Sequence, residues 1–422
     1  MSAPLPPAIA PGHVPSAPAP TATNEIALLL TLAGMQFTHI VDFMIMMPLG
    51  SQFMRIFGID PQHFGFLVSV YTFAAAVSGF VAAFWIDRFG RKRALLAVYG
   101  GFIVATGLCG LVPSYPLLLA VRGLAGLFGG VVGALIFTIV ADVVPYARRA
   151  RGTALVSSAF SLAAVMGLPL GLWFANRYSW RAPFLVLAAT SVVVGWAAWR
   201  LLPALDANVV RGPRLKPGAQ LRAIFGVPNH LHAFAFMIAL MLSVFIVVPF
   251  IAPYNVANVG VAETELPIIY FAGGLTTLFT AQVIGWLADR YGKRRLFIAL
   301  ALVSVVPIYV LTHLPRSSLI VAVGVSILFF VFVPGRFGPA IALVSGSVEP
   351  RLRGSFMSFN ASIQQLGSAV ASLAGGLIVG RAADGSLTRY DIAGWAAIAF
   401  TLAAIVLALR IRVIPDGSGK VE

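Results

Sequence analysis

The stretch WIDRFGRKR at residues 85–93 returns as LADRYGKRR at 287–295, so that Asp87 and Asp289 stand 202 residues apart. A second pair, RARGTALVSS at 149–158 and RLRGSFMSFN at 351–360, places Gly152 and Gly354 at the same separation. Two independent matches at one offset point to an internal duplication. Each motif is a short basic knot between long apolar runs. The duplicated unit is therefore a set of membrane-spanning segments, an arrangement that suits transport about a central site.

Composition leads to the same place. Of the 422 residues, 59% are hydrophobic and 10% charged, with a mean hydropathy of +0.93. Such values exclude an ordinary soluble domain, and apolar segments of about 20 residues are the length that crosses a bilayer. Twelve can be placed, at 26–54, 62–85, 94–112, 115–141, 152–175, 182–202, 231–256, 264–287, 296–314, 317–346, 354–379 and 391–413. The one long connection, 203–230, carries Arg211, Arg214, Lys216 and Arg222. The expected fold is an all-α membrane protein of twelve transmembrane helices in two six-helix halves, 25–202 and 231–413, joined by the linker 203–230. Residues 1–24 hold seven prolines and no Lys or Arg, and read as a disordered tail rather than a secretory signal. Residues 414–422 form a second tail.

The net charge of +15 would suit nucleic acid only if it were gathered on one surface. Here the charges lie in loops. Of 29 Lys and Arg, 21 fall on the side of the two repeated motifs, both termini and the linker. Six, Arg55, Arg177, Arg181, Arg316, Arg381 and Arg389, fall on the other, and Arg122 and Arg336 lie within spans. The positive-inside rule then puts both termini in the cytoplasm. Arg outnumbers Lys by 25 to 4, which fits a GC-rich bacterium and hence a multi-pass protein of the bacterial inner membrane. The single cysteine, Cys109, lies in an apolar segment and offers neither a disulfide framework nor a thiol metal site.

Gly285-x-Leu-Ala-Asp289-Arg290-x-Gly292-Lys293-Arg294 resembles the signature loop of the major facilitator superfamily, and it recurs at Asp87-Arg88-Phe-Gly90-Arg91-Lys92. The first copy has Ala83 where the family carries a leading Gly. RGLAGLFGG (122–130) resembles the Arg-bearing motif of span 4. GLPLGLWFANRYSWRAPF (167–184) resembles the span-5 end of the drug:proton antiporter and arabinose-efflux-like branch, although Gly and Pro are not adjacent in Gly167-x-Pro169-x-Gly171. The resemblance covers about residues 25–413 and implies alternating access. An Asp at a helix end can pair with an Arg or with a helix N-terminus. Asp87, Arg88, Gly90 and Arg91, with Asp289, Arg290, Gly292 and Lys293, are therefore read as a cytoplasmic latch that closes the outward-facing state. Purely topogenic charge is the plainer alternative.

Within the spans the informative stretch is QFTHIVDFMIMMP, residues 36–48. An ionisable group in the middle of a span costs about 2.5–3.5 kcal/mol on insertion scales, which makes it a functional candidate. Asp42 is the one acidic residue placed deep within a span. At about 100° per residue, Met35, Thr38, His39, Asp42 and Met46 share one helix face, expected to line a central cavity. Arg122 enters its span to a depth of roughly 10 Å and Asp42 lies roughly 24 Å along its own, comparable depths from opposite ends. Desolvation disfavours a lone carboxylate and a neighbouring arginine favours it. Asp42 is read as the carrier of a coupled proton, Arg122 as the group that tunes it and His39 as a relay. A structural ion pair and a satisfied cavity histidine are the alternatives.

Arg336, flanked by Pro334, Gly335, Gly338 and Pro339, marks a kink in span 10 and joins Thr38 and Met46 as a cavity candidate, with snorkelling to the interface as its alternative. Asn360 and Gln364, one helical turn apart, and Tyr270 complete the candidate set. Tyr254 is assigned to the interfacial aromatic belt. Met44, Met46, Met47, Met237 and Met241 could ligate Cu(I), although methionine is commonly apolar filler. No metal site or cofactor is expected.

The leading functional expectation is proton-coupled export of small drug-like or sugar-like compounds. Proton-coupled uptake, including copper uptake, uses the same parts, and a membrane sensor without transport is the reading from another class. An enzyme is disfavoured, since the chain has no phosphate loop and no nucleophile constellation. The expected partners are a small-molecule substrate, protons and the lipid bilayer, with no nucleic acid, and the expected state is a monomer.

Overall fold

The computed structural model describes residues 22–85, 90–203, 217–349 and 352–414. Eleven segments among them are helical, long and apolar enough to cross a membrane. The twelfth is Arg353–Ile378, a helix of 26 residues. It is less apolar because Asn360, Gln364, Gln365 and five serines interrupt it. In chain order the spans are Ala22–Ile45, Pro61–Trp85, Arg91–Cys109, Tyr115–Val143, Tyr146–Arg177, Ala182–Leu201, Pro228–Val259, Leu266–Tyr291, Lys293–Thr312, Leu319–Ser345, Arg353–Ile378 and Tyr390–Arg410.

Proline accounts for several helix boundaries. Pro116, Pro183 and Pro267 sit in the first turn of spans 4, 6 and 8, where the missing N–H has no intrahelical role. Pro48 ends span 1 earlier than its apolar run suggested, and the chain restarts as the short helix Gly50–Ile56. Pro249 and Pro253 likewise break span 7 into short helical turns. Span 5 contains a π-turn at Ala163–Gly167, and span 10 is interrupted at Arg336 between Gly335 and Phe337. Part of the expected linker is helical, Pro217–Phe225. Helix also begins at Ala22, inside the expected tail; residues 1–21, 204–216 and 415–422 lie outside the described residues.

The halves meet along two glycine seams. A Cβ on Gly65 of span 2 would stand 2.9 Å from Gly376 Cα and 2.7 Å from Ser372 O of span 11, so only glycine allows the two backbones to touch. Across the other seam, a Cβ on Gly274 of span 8 would stand 2.7 Å from Ala164 O in the π-turn of span 5.

The apolar core is continuous at one end of the bundle and divided at the other. Phe53, Phe64 and Trp180 of the first half pack in one cluster with Phe250, Ile251 and Tyr390 of the second. At the opposite end Leu95, Leu135 and Ile139 form a core of the first half, while Met237, Phe297 and Phe356 form a separate core of the second. A polar network strengthens the joined end. Arg55 holds both carboxylate oxygens of Glu263 at 2.7 and 3.0 Å. Asn176 donates to Glu263 O at 2.9 Å and accepts from Gln52 at 2.7 Å. Tyr254 also belongs here. It is buried, donates to Leu314 O at 3.0 Å and packs on Tyr390 with ring centroids 4.6 Å apart, which corrects its assignment to the aromatic belt.

Candidate substrate cavity and coupling pair

Between the divided cores lies a cavity of ≈ 1710 Å³. It opens on the side of the basic loops, with Asp289, Lys293, Leu352 and Gly354 at its mouth. His39, Phe43, Met44 and Met47 of span 1 line its inner wall on one side, and Met241, Phe245, Tyr270 and Phe330 line it on the other. The lining is largely apolar with a few polar groups, the usual character of a small-molecule site. Gln364 and Tyr270 are part of it. The joined end of the bundle closes it off from the opposite face.

The polar stripe of span 1 does not face this cavity as a whole. His39 alone of the five lines it. Met35 and Met46 are packed in apolar clusters, and Thr38 bonds the Tyr99 hydroxyl at 2.8 Å. Periodicity identified the shared face correctly, but that face is turned toward spans 3 and 4 within the first half. Arg336 and Asn360 are also fully buried outside the cavity wall. Thr38, Met46, Arg336 and Asn360, expected to line the cavity, are therefore not part of its wall. Of the methionines, Met44, Met47 and Met241 line the cavity, whereas Met46 and Met237 pack in the cores.

Asp42 and Arg122 form a buried ion pair, 0% and 1% exposed, with Nη1 2.9 Å from Oδ2. Arg122 Nη2 also donates to Asp42 O at 3.3 Å, and Thr106 Oγ1 of span 3 donates to Asp42 Oδ1 at 3.2 Å. The guanidinium lies over the Tyr71 ring, 4.3 Å from its centroid. Close approach of spans 2 and 4 makes this possible, since Gly126 and Gly130 lie against the span-2 backbone at Tyr71 and Ala75. Both ring nitrogens of His39, Gln36 Oε1 and Tyr71 Oη have no hydrogen-bond partner among the described residues. His39 lines the cavity one helical turn from Asp42 and packs edge-on against Phe102 at 5.9 Å. Tyr71 and Thr106 were missed by sequence reasoning. The available signal was the small-residue face Gly126, Gly129, Gly130 and Gly133, which requires a close neighbour.

Arg336 is not at the interface. Its guanidinium bonds Ser243 Oγ at 2.9 Å, Thr401 Oγ1 at 3.0 Å and Ser304 Oγ at 3.1 Å inside the second half.

Of the expected latch, Asp87 and Arg88 lie outside the described residues. Gly90 precedes span 3, and Arg91 is buried and bonds Asp142 Oδ2 of its own half at 3.1 Å. Asp289 stands exposed at the cavity mouth beside Lys293, and Arg290 stacks over Trp286 at 5.2 Å. Gly292 adopts φ +88° in the turn between spans 8 and 9, a conformation that other residues rarely adopt.

Comparison with known proteins places this geometry. The sequence profile of the Major Facilitator Superfamily matches residues 32–247 and 233–421. The chain is 24% identical over 364 residues to the uncharacterized MFS-type transporter YceJ of Bacillus subtilis (strain 168), covering 86% of this chain and 90% of the relative. Over 147 residues it is 27% identical to the fatty acid resistance protein FarB of Neisseria gonorrhoeae, 35% of this chain and 29% of that one. Among solved structures, the D-xylose-proton symporter superposes with a TM-score of 0.74 at 16% identity, covering 95% of this chain and 100% of that chain.

Proposed function

The chain belongs to the Major Facilitator Superfamily, and from that premise we propose that it is a proton-coupled secondary active transporter of small organic compounds. It is a multi-pass secondary transporter and not an enzyme. The finer reading is that the halves 25–202 and 231–413 rock about the glycine seams and expose the cavity to one side at a time. The charge count supports an open side that faces the cytoplasm, here taken as that of a bacterial cell, and the expected working state is a monomer. The latch residues Asp87, Arg88, Gly90, Arg91, Asp289, Arg290, Gly292 and Lys293 close that side in the other state.

The observation that carries the coupling is the buried Asp42–Arg122 pair one helical turn behind His39. Arginine stays charged, so the carboxylate is the member of the pair that can exchange a proton. When Asp42 takes up a proton, Arg122 loses its counter-charge in a low-dielectric site, which costs several kcal/mol unless the surroundings rearrange. Protonation thus interacts differently with the two arrangements of the halves, as a two-state transporter requires. His39, which lines the cavity one helical turn from Asp42, is read as the relay between cavity and carboxylate.

Export is the direction carried by the resemblance to the antiporter branch and by the partial likeness to a resistance protein. Uptake uses the same parts and is the second reading.

The test is reconstitution into liposomes with a pH-sensitive dye inside, adding cationic dyes, sugars, carboxylates and metal ions in turn. A compound that shifts internal pH only when the protein is present supports proton coupling. Movement of a compound with no dependence on the proton gradient overturns it.

A further inference from the structure

Arg122 and Arg336 each lie on the fourth span of their own half, at different depths, and each reaches the first span of that half. Their surroundings differ. Arg122 meets a carboxylate, and its charge is balanced. Arg336 meets three hydroxyls and, among the described residues, enters no ion pair. Each of those hydroxyls donates its own proton to a carbonyl of its helix, Ser243 to Leu240 O, Ser304 to Ala301 O and Thr401 to Ala397 O. Their lone pairs are thereby aimed at the guanidinium. The cage gives Nη1 and Nη2 of Arg336 neutral acceptors, while Nε has no partner among the described residues and the positive charge is left unmatched.

That charge acts on the cavity. Val333, Pro334, Gly335, Phe337 and Gly338, the residues on either side of Arg336, all line it, so the charge lies just behind the second-half wall. The other charged groups there are few. Asp289 and Lys293 oppose one another at the mouth, and Asp42 balances Arg122 behind the first-half wall. With a largely apolar lining, little intervenes to screen the field.

We propose that Arg336 gives the deep cavity a fixed positive potential that selects anionic compounds, of which small organic carboxylates are the simplest class, and disfavours organic cations. The proposal rests on the transport reading for its site and names the cargo class. Protonation of Asp42 unmasks Arg122 and adds to the same field. Proton and anion then favour each other's binding, the pattern of co-transport, and for such a cargo this supports the second reading, uptake, over export.

The potential can be read without knowing the cargo. In the full chain in detergent, with Cys109→Ser and the cavity-lining Thr277→Cys, the thiol is reacted with sulfonatoethyl methanethiosulfonate and with its trimethylammonioethyl counterpart. Each reagent forms a mixed disulfide with the thiolate and releases methanesulfinate, and the two differ chiefly in charge. The rate ratio, normalised to a free thiol in solution, is expected to favour the anionic reagent by at least about tenfold. Arg336→Lys retains that preference. Arg336→Gln lowers it about tenfold. Ser243→Asp, which gives Arg336 the kind of partner Arg122 already has, does the same and keeps the test decisive if Arg336→Gln fails to fold. A ratio at or below that of the free thiol, or one unmoved by Ser243→Asp, overturns the proposal. Asp42→Asn is expected to raise the preference further. If it does not while Arg336 and Ser243 behave as stated, the coupling reading fails and the anion site stands.

Discussion

Two buried arginines in one duplicated fold are held in two different ways. Arg122 is held by Asp42, with Thr106 behind the carboxylate and Tyr71 beneath the guanidinium. Arg336 is held by Ser243, Ser304 and Thr401. The first arrangement contains a carboxylate, a group able to take up a proton; the second contains only hydroxyls. A titratable partner makes a switch, and a set of neutral acceptors makes a fixed charge. On this reading the first half carries the coupling and the second supplies the constant against which it works.

The largest effect should come from breaking the pair at Arg122. Arg122→Leu leaves a buried carboxylate without its cation and is expected to cost about 3–5 kcal/mol. Thermal unfolding in detergent measures this, and adding Asp42→Asn to the same chain should restore much of the loss. If the double variant is no more stable than Arg122→Leu, the pair is not the source of the penalty. Next in size is removal of one acceptor from the other arginine. Ser243→Ala deprives the Arg336 guanidinium of one of its three side-chain partners, at an expected cost of about 1–3 kcal/mol. A neutral result there would mean that Arg336 is less dependent on its cage than the distances imply.

Thr106→Val removes a single hydrogen bond to Asp42 and should cost about 0.5–1.5 kcal/mol, less than Arg122→Leu. An effect as large as that of Arg122→Leu would shift the centre of the switch from the ion pair to span 3. The smallest effect is expected outside both sites. Glu263→Gln weakens the bridge to Arg55, whose side chain is 62% exposed, so the stability change should stay within about 0.2–1 kcal/mol. The informative readout is conformational: labelling of a cavity cysteine from the face opposite the basic loops should increase as the joined end loosens.

The fold was legible because the duplication, the twelve apolar runs and the loop charges are all properties of the linear sequence. The candidate site was legible only in part. Asp42 stood out as a lone acid in an apolar span, and its depth matched that of Arg122. Periodicity put Thr38, His39 and Asp42 on one face, yet it carries no information about which neighbour that face meets, and the neighbours proved to be Tyr99, Phe102 and Thr106. Arg336 is offset from Arg122 by 214 residues rather than the 202 of the repeated loops, so the duplication did not pair them. Its partners are serines and a threonine, which in sequence are indistinguishable from the many that bond only their own helix. Tyr71 resembled any aromatic filler until the glycines of span 4 brought it under Arg122.

The most direct test of the account separates moving cargo from coupling it. With a compound found to drive proton movement, proteoliposomes carrying wild type or Asp42→Asn are compared in cargo-for-cargo exchange and in transport driven by a pH gradient. The account predicts that Asp42→Asn retains exchange and loses gradient-driven accumulation. Accumulation that persists at the wild-type level in the folded variant would contradict it, and Asp42 would then be a structural partner of Arg122 with the coupled proton held elsewhere.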